Sequence, residues 1–195
     1  MEVLIVVDMQ NDFVSGALGT PEAQAIVPNV IDKIDEYHNQ IFKKRKIIFT
    51  QDTHGDNYLE TEEGKNLSVP HCLLHTEGWE LISEIKDFYE TLCDNEPIDC
   101  IRKGIFGSIK LPEALNQYAL DIESIELIGL CTDICVISNA IIAKSQFKNI
   151  PIYVDASCCA GTTPEAHDKA IDLMKNSLQI HILNEGKEPW RKCYE

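Results

Sequence analysis

Short apolar runs recur along the chain, separated by stretches with helical spacing. Val3–Val7 has no polar interruption, which fits a strand buried on both faces rather than a half-exposed, alternating one. Lys46–Thr50, Ile98–Arg102, Ile125–Leu130, Ile150–Asp155 and Gln179–Leu183 are five further strand candidates. Thr20-Pro21-Glu22 opens a helix, with proline near the first position, where its missing N–H is not needed. Ile26, Val30, Ile31 and Ile34 fall on one face of that helix, which ends before Lys43. Trp79–Phe88, Pro112–Tyr118 and Pro164–Ser177 read as helices, and Asp133–Phe147 as one apolar nearly all round, hence buried. Alternating strands and helices with continuous apolar strands predict an α/β fold: one domain over residues 1–195, its mostly parallel six-stranded sheet covered by helices on both faces. Residues 53–77 break the alternation with a long polar loop, a feature that in a compact domain is usually functional or disordered. The tail, residues 185–195, is polar apart from Trp190 and Tyr194, and its packing is left open.

Charge and cysteine content narrow the picture. A net charge of −15 argues against nucleic acid or an anionic membrane as partner. The first apolar run lacks a basic flank and is too short for a signal segment or a membrane helix, so a cytoplasmic location is the expectation. Eight cysteines could pair, but a chain of 195 residues has core enough without disulfides, and it contains no C-x-x-C. Vicinal Cys158-Cys159 reads as packing at a strand end.

Sites of open α/β sheets lie beyond the carboxyl ends of the strands. There the chain carries Asp8, then Asp52 and His54, then Lys103, then Cys131 to Cys135. Singly, each has a mundane reading: a turn aspartate, a solvated lysine, a small buried hydrophobe. Together they place an acid, a base and a thiol on one edge. The Thr132-Asp133 helix start puts Cys135 in the first helical turn. Unpaired N–H groups there can lower a thiol pKa from about 8.5 to roughly 3.5–7.5, and Lys103 would add to this. Asp52-Thr-His54, Glu62-Glu63 and Pro70-His71 supply the carboxylates and imidazoles that suit a borderline divalent ion: zinc first, with manganese or iron as alternatives. His38, His75, His167 and His181 read as structural or exposed.

Three ordered motifs carry a resemblance: Val-Val-Asp8-Met-Gln-Asn-Asp-Phe13, Lys103 with Phe106-Gly107-Ser108, and Gly129-Leu-Cys-Thr-Asp-Ile-Cys135-Val. Together, over roughly Val3 to Leu183, the chain resembles the isochorismatase-like cysteine hydrolase family. The resemblance implies a Rossmann-like sheet and a catalytic trio at Asp8, Lys103 and Cys135. It also implies an oxyanion site at the backbone of Cys131 and Cys135, with a cis peptide before Cys131, and Phe13 against the substrate. Within the family, loop 53–77 is similar to the metal loop of the nicotinamidases, which carries over onto Asp52, His54 and His71. Glu63 would be the third ligand, with Glu62 as the alternative. The implied activity is hydrolysis of nicotinamide to nicotinate and ammonia, in NAD salvage, through a cysteine thioester. The implied partners are a small amide substrate and other copies of the chain in a homo-oligomer. The alternatives are another small amide, an isochorismatase-like substrate, or a noncatalytic or thiol-redox protein. One departure stands out: Ser68-Val69-Pro70 occupies the place where many nicotinamidases have an aromatic residue. The ring wall would then come from Tyr58, Leu67 or another chain.

Overall fold

Every strand pairing is parallel in the computed structural model, which describes residues 1–39, 42–95 and 99–194. The strands are β1 (Glu2–Val7), β2 (Arg45–Asp52), β3 (Cys100–Lys103), β4 (Ser124–Leu130), β5 (Ile152–Ala160) and β6 (His181–Leu183). They lie in the order β3-β2-β1-β4-β5-β6. The chain winds outward from β1, returns, and winds outward from β4 on the other side, so the order reverses between β1 and β4. A crevice opens at such a switch point, beyond the carboxyl ends of the strands.

The unbroken apolar run of β1 has a simple cause. Val3, Ile5 and Val7 join the core under α5 (Leu111–Asn116), α6 (Ile137–Gln146) and α7 (Pro164–Asn176). Leu4 and Val6 join the opposite core with Phe13 and Val14 of α1 (Asn11–Val14), under α2 (Pro21–His38) and α4 (Ser83–Asn95). The helices start where their caps place them. Thr20 Oγ1 accepts from the Ala23 N–H at 3.0 Å and Pro21 follows it, while Thr163 and Pro164 repeat the arrangement for α7. Ile26, Val30 and Ile34 of α2 are all fully buried against the sheet.

Several elements differ from the sequence reading. Strand β3 begins at Cys100; Ile98, where the sequence places its start, lies outside the described residues. Helix α4 begins at Ser83 rather than Trp79, because Trp79–Ile82 return to the end of β1. Leu81 bridges to Gln10, and the Ile82 N–H donates to the Met9 carbonyl at 3.0 Å. Helix α6 is not buried all round: Ile141 is 42% exposed. Strand β5 runs on to Ala160, so Cys158 and Cys159 lie within it, free and buried in opposite cores. Cys100 is disulfide-bonded, against the expectation that this chain needs no bridge; pairing depends on Cβ placement, which no spacing reveals.

Gly129 sits at an irregularity of β4 with φ +110, and a Cβ there would lie 2.2 Å from the Val7 carbonyl oxygen. Gly129→Ala is therefore expected to destabilise the fold by about 3 kcal/mol or more, combining left-handed backbone strain with overpacking between two central strands. Chemical denaturation of the two proteins would measure it, and equal midpoints would contradict the assignment.

The tail packs on the body. Trp190, in a short 3-10 turn over Pro189–Cys193, is 2% exposed and donates from Nε1 to the Cys159 carbonyl at 3.4 Å. Tyr194 bonds Glu22, and Glu188 pairs with Arg191. Burial opposes ionisation of Glu188, but hydrogen bonds from His167 and Arg191 outweigh it and hold its pKa at about 2 instead of 4.5. A depressed carboxyl contributes its stability above the ordinary pKa and loses it as pH falls toward the folded one. Tail docking is thus expected to weaken below about pH 4.5 and to be lost toward pH 2. Red-shifted emission of Trp190 in a Trp79→Phe background would report it, and Glu188→Gln should remove most of that pH response.

Candidate active site

β1 ends at Val7, and Asp8 turns the chain with φ 48. Its carboxylate is fully buried: Oδ1 accepts from Thr50 Oγ1 at 2.7 Å, and Oδ2 lies 2.6 Å from Lys103 Nζ. Parallel register sets Lys103, the last residue of β3, beside Asp52, the last of β2. The same ammonium lies 3.4 Å from Asp52 Oδ1 and 3.5 Å from Cys135 Sγ. One buried cation therefore links the three groups that the sequence placed on separate strand ends.

Cys135 arrives from β4. The Leu130–Cys131 peptide is cis, and a wide π-type turn over Thr132–Val136 precedes α6. Two neighbours hold this turn. Asp133 accepts from the Thr162 N–H and hydroxyl at 2.8 and 2.6 Å. Buried Asn139 donates from Nδ2 to the Cys135 carbonyl at 2.8 Å, and its Oδ1 accepts from the Ser108 N–H at 3.0 Å.

The expected low thiol pKa is corrected here. Burial, then the nearby Asp8 carboxylate, push the Cys135 thiol well up, and the Lys103 ammonium only partly opposes them. This surrounding favours the thiol over the thiolate. Burial likewise raises Asp8 despite Lys103. Lys103 itself is held protonated: burial works against its charge, but Asp8, Cys135 and Asp52 outweigh it. A turn-end position alone cannot show how completely the fold removes water from the sulfur.

Asp52, His54, Glu63 and His71 bring one donor atom each within 4.8 Å of one another. His54 Nε2 and His71 Nε2 lie 3.0 and 3.6 Å from Asp52 Oδ2, and 3.8 and 3.7 Å from Glu63 Oε1. Tetrahedral ligands at about 2.0–2.2 Å from an ion stand roughly 3.4 Å apart, so the set fits a divalent ion. His71 Nδ1 lies 2.9 Å from the Val69 carbonyl, which can only accept. That bond places a proton on Nδ1 and turns Nε2 toward the cluster, where it can donate to Asp52 or, once deprotonated, present its lone pair to an ion. Burial opposes ionisation of Asp52, yet hydrogen bonds from His54 and His71, then Lys103, hold its carboxyl far below the usual range. Glu62 is exposed and its side chain faces Asn66, outside the group.

Part of loop 53–77 is ordered into a 3-10 turn, Tyr58–Glu60, and α3 (Glu62–Asn66). Thr61 caps α3 by accepting from the Gly64 N–H at 3.0 Å, a signal present in Thr-Glu-Glu-Gly. A Cβ on Gly64 would lie 2.1 Å from the Tyr58 carbonyl oxygen, so only glycine allows the turn that presents Glu63.

A cavity of about 390 Å³ joins the two clusters, with Asp52, Glu63 and His71 at one part of its lining and Cys131 and Cys135 at another. Phe13, Leu67, Phe106 and Ile134 supply apolar wall. Tyr58 is not among the lining residues: it is 1% exposed, packs edge-on against His54 and His71, and donates to the Leu67 carbonyl at 3.0 Å. Leu67, one of the residues read as an alternative source of the ring wall, does line the cavity, as does Phe106.

Three positioning residues escaped the sequence reading. Gln10 donates from Nε2 to the Asp52 and Trp79 carbonyls at 2.8 Å each and accepts from the Asp52 N–H at 2.7 Å. Asp12 accepts from the Cys72 N–H at 2.7 Å and so fixes the residue after His71. Asn139 is the third. The available signal was a polar residue inside a buried motif or an apolar helix.

The isochorismatase domain family matches residues 2–185 of the chain. An uncharacterised isochorismatase family protein of Bacillus subtilis (strain 168) is 28% identical over 189 residues, covering 93% of this chain and 98% of that one. The crystal structure of a pyrazinamidase/nicotinamidase from Streptococcus mutans UA159 superimposes with TM-score 0.79 at 26% identity, over 94% of this chain and 100% of that one. That of a pyrazinamidase of Pyrococcus horikoshii in complex with zinc gives TM-score 0.72 at 26% identity, over 93% and 98%. No helix among the described residues is long and apolar enough to cross a membrane.

Proposed function

Because the chain belongs to the isochorismatase family, we propose that it hydrolyses a small aromatic amide through Cys135, with nicotinamide as first substrate and nicotinate and ammonia as products. The observation that carries this reading is Lys103, whose ammonium touches Asp8, Asp52 and Cys135 at once. The thiol and the ligand cluster therefore share one charged hub and one cavity.

The resting thiol needs a proton acceptor, and Asp8 is the buried base at hand. Asp8 takes the proton as Cys135 Sγ bonds to the carboxamide carbon, and the carbonyl electrons move onto oxygen. The Cys131 and Cys135 N–H groups receive that oxyanion at the start of the turn. The intermediate collapses with loss of the amine, which leaves as ammonia after Asp8 returns the proton. Cys135 is then a thioester. Water, deprotonated by Asp8, attacks it, releasing the carboxylate and restoring the thiol. Lys103 stays protonated throughout and keeps the negative charge shared between Asp8 and the sulfur tolerable in a buried site. Asp52, His54, Glu63 and His71 would hold a divalent ion, zinc first, which when bound offers a Lewis-acid contact to a substrate ring nitrogen. Phe13 and Phe106 flank the ring.

Ammonia release from nicotinamide, pyrazinamide, and aliphatic and carbamoyl amides, with metal content measured alongside, tests the reading. Turnover of the pyridine amide that is lost on chelation is expected. Metal-free protein active only on non-pyridine amides would replace it with the second reading, another small amide, which Leu67 in the cavity wall favours.

A further inference from the structure

Behind the nucleophile turn lies a buried chain of groups that the proposed mechanism does not use. We propose that Glu188, His167 and Thr132 form a positioning relay through which the C-terminal tail holds the turn carrying Cys131 and Cys135. The inference rests on the reading of Cys135 as nucleophile.

Both ring nitrogens of fully buried His167 are engaged. Nδ1 lies 2.9 Å from Thr132 Oγ1, and Nε2 lies 3.3 Å from Glu188 Oε1. A carboxylate only accepts, so Nε2 carries a proton and donates to Glu188. In neutral His167, Nδ1 is then the acceptor, and the Thr132 hydroxyl must donate to it. The relay thus fixes the side chain of the residue directly after Cys131, itself fully buried. Trp190 packs edge-on against the same imidazole, with ring centroids 5.2 Å apart. Glu188 in turn accepts from Arg191 and from the Gly186 N–H, so the carboxylate is set by the tail. Gly161 completes the fit, since a Cβ there would lie 2.8 Å from the His167 N–H nitrogen and 2.9 Å from Asp133 Oδ1.

Oxyanion donors must be held in place before charge develops on the substrate. The other anchors of this turn are Asn139 of α6 and Thr162, just beyond β5. The relay anchors it from the far end of the chain, with a carboxylate, an imidazole and a hydroxyl aligned so that each can satisfy the next. Residues joined in one hydrogen-bond network are energetically coupled even when they do not touch.

The test uses the metal-loaded protein and the variants Thr132→Val, Glu188→Gln, their double variant, and Thr132→Ser. Kinetics on the amide the wild type turns over, thermal midpoints and metal content are measured together. Each single variant is expected to lower kcat about tenfold with KM and metal content within twofold of wild type. The double variant should also fall about tenfold, not a hundredfold, and Thr132→Ser should restore most of kcat. Multiplying losses, or a thermal midpoint that falls while kcat holds, would overturn the relay. If the wild type turns over no amide, the functional reading fails first. The relay is then read from iodoacetamide alkylation of Cys135, which should speed at least threefold, by the same factor in single and double variants. Unchanged alkylation would overturn it.

Discussion

Cys135→Ala is expected to lower amide turnover by about 10⁴-fold or more while leaving the fold standing, because no other group replaces an attacking nucleophile. The thiol sits 3.5 Å from Lys103 Nζ and is 6% exposed, so its removal deletes one small buried atom and no backbone contact. A stability loss within about 1–2 kcal/mol is the matching expectation. Among the other free cysteines, Cys131 lines the same cavity, but burial holds its thiol at about 12, and Cys72, Cys158 and Cys159 lie away from it. Burial raises the Cys72 and Cys159 thiols strongly and Cys158 to about 12, and none of the three lines the cavity. Steady-state assays with equilibrium unfolding of the same preparation measure both quantities. Turnover within tenfold of wild type would remove Cys135 from the mechanism.

The second large effect concerns the ligand cluster. His71→Ala should strip the bound ion and lower turnover of ring amides by about 10²-fold or more, the scale on which lost substrate orientation acts. The structural reason is that His71 carries two loads. Its Nε2 faces Asp52 and Glu63, while its ring packs on Phe13 at 5.4 Å and on Tyr58 at 5.0 Å. Chelation of the wild type separates these loads, because it removes the ion and leaves the rings. Metal analysis and kinetics should show chelated wild type approaching the variant, with added zinc restoring the wild type alone. A variant with full metal content and full activity would exclude His71 as a ligand.

The parallel α/β layout was legible because β1 is buried on both faces and its sequence must be apolar at every position. Asp8, Lys103 and Asp52 were legible as strand-end residues, since topology brings such ends together whatever the intervening loops do. Glu63 over Glu62 was not: adjacent residues differ only in which one α3 turns inward, and Gly64 packed on Tyr58 decides that. Cys135 was found in the right place, but burial shifts its thiol opposite to the direction that the helix start implies. The helix start was readable from Thr132-Asp133, but desolvation depends on what covers the sulfur, which lies in the core with strand and α6 side chains, and the Asp8 charge adds to it. The histidines divide similarly. His38, His75 and His181 are exposed and His167 is structural, both within that reading, but only packing shows His167 as a buried hub between a helix, the turn and the tail.

By itself, then, the sequence determined the order of strands and helices, the double-sided burial of the central strand, and which chemical groups stand at the strand ends, since these follow from local periodicity and caps. Only the tertiary structure decided that one lysine lies beside the Cys135 thiol, Asp8 and Asp52 together, that Leu67 and Phe106 line the cavity while Tyr58 does not, and that the tail reaches the turn carrying Cys135. Those outcomes are distances between residues far apart in the chain, and distance across a fold is fixed by packing, which no stretch of sequence contains on its own.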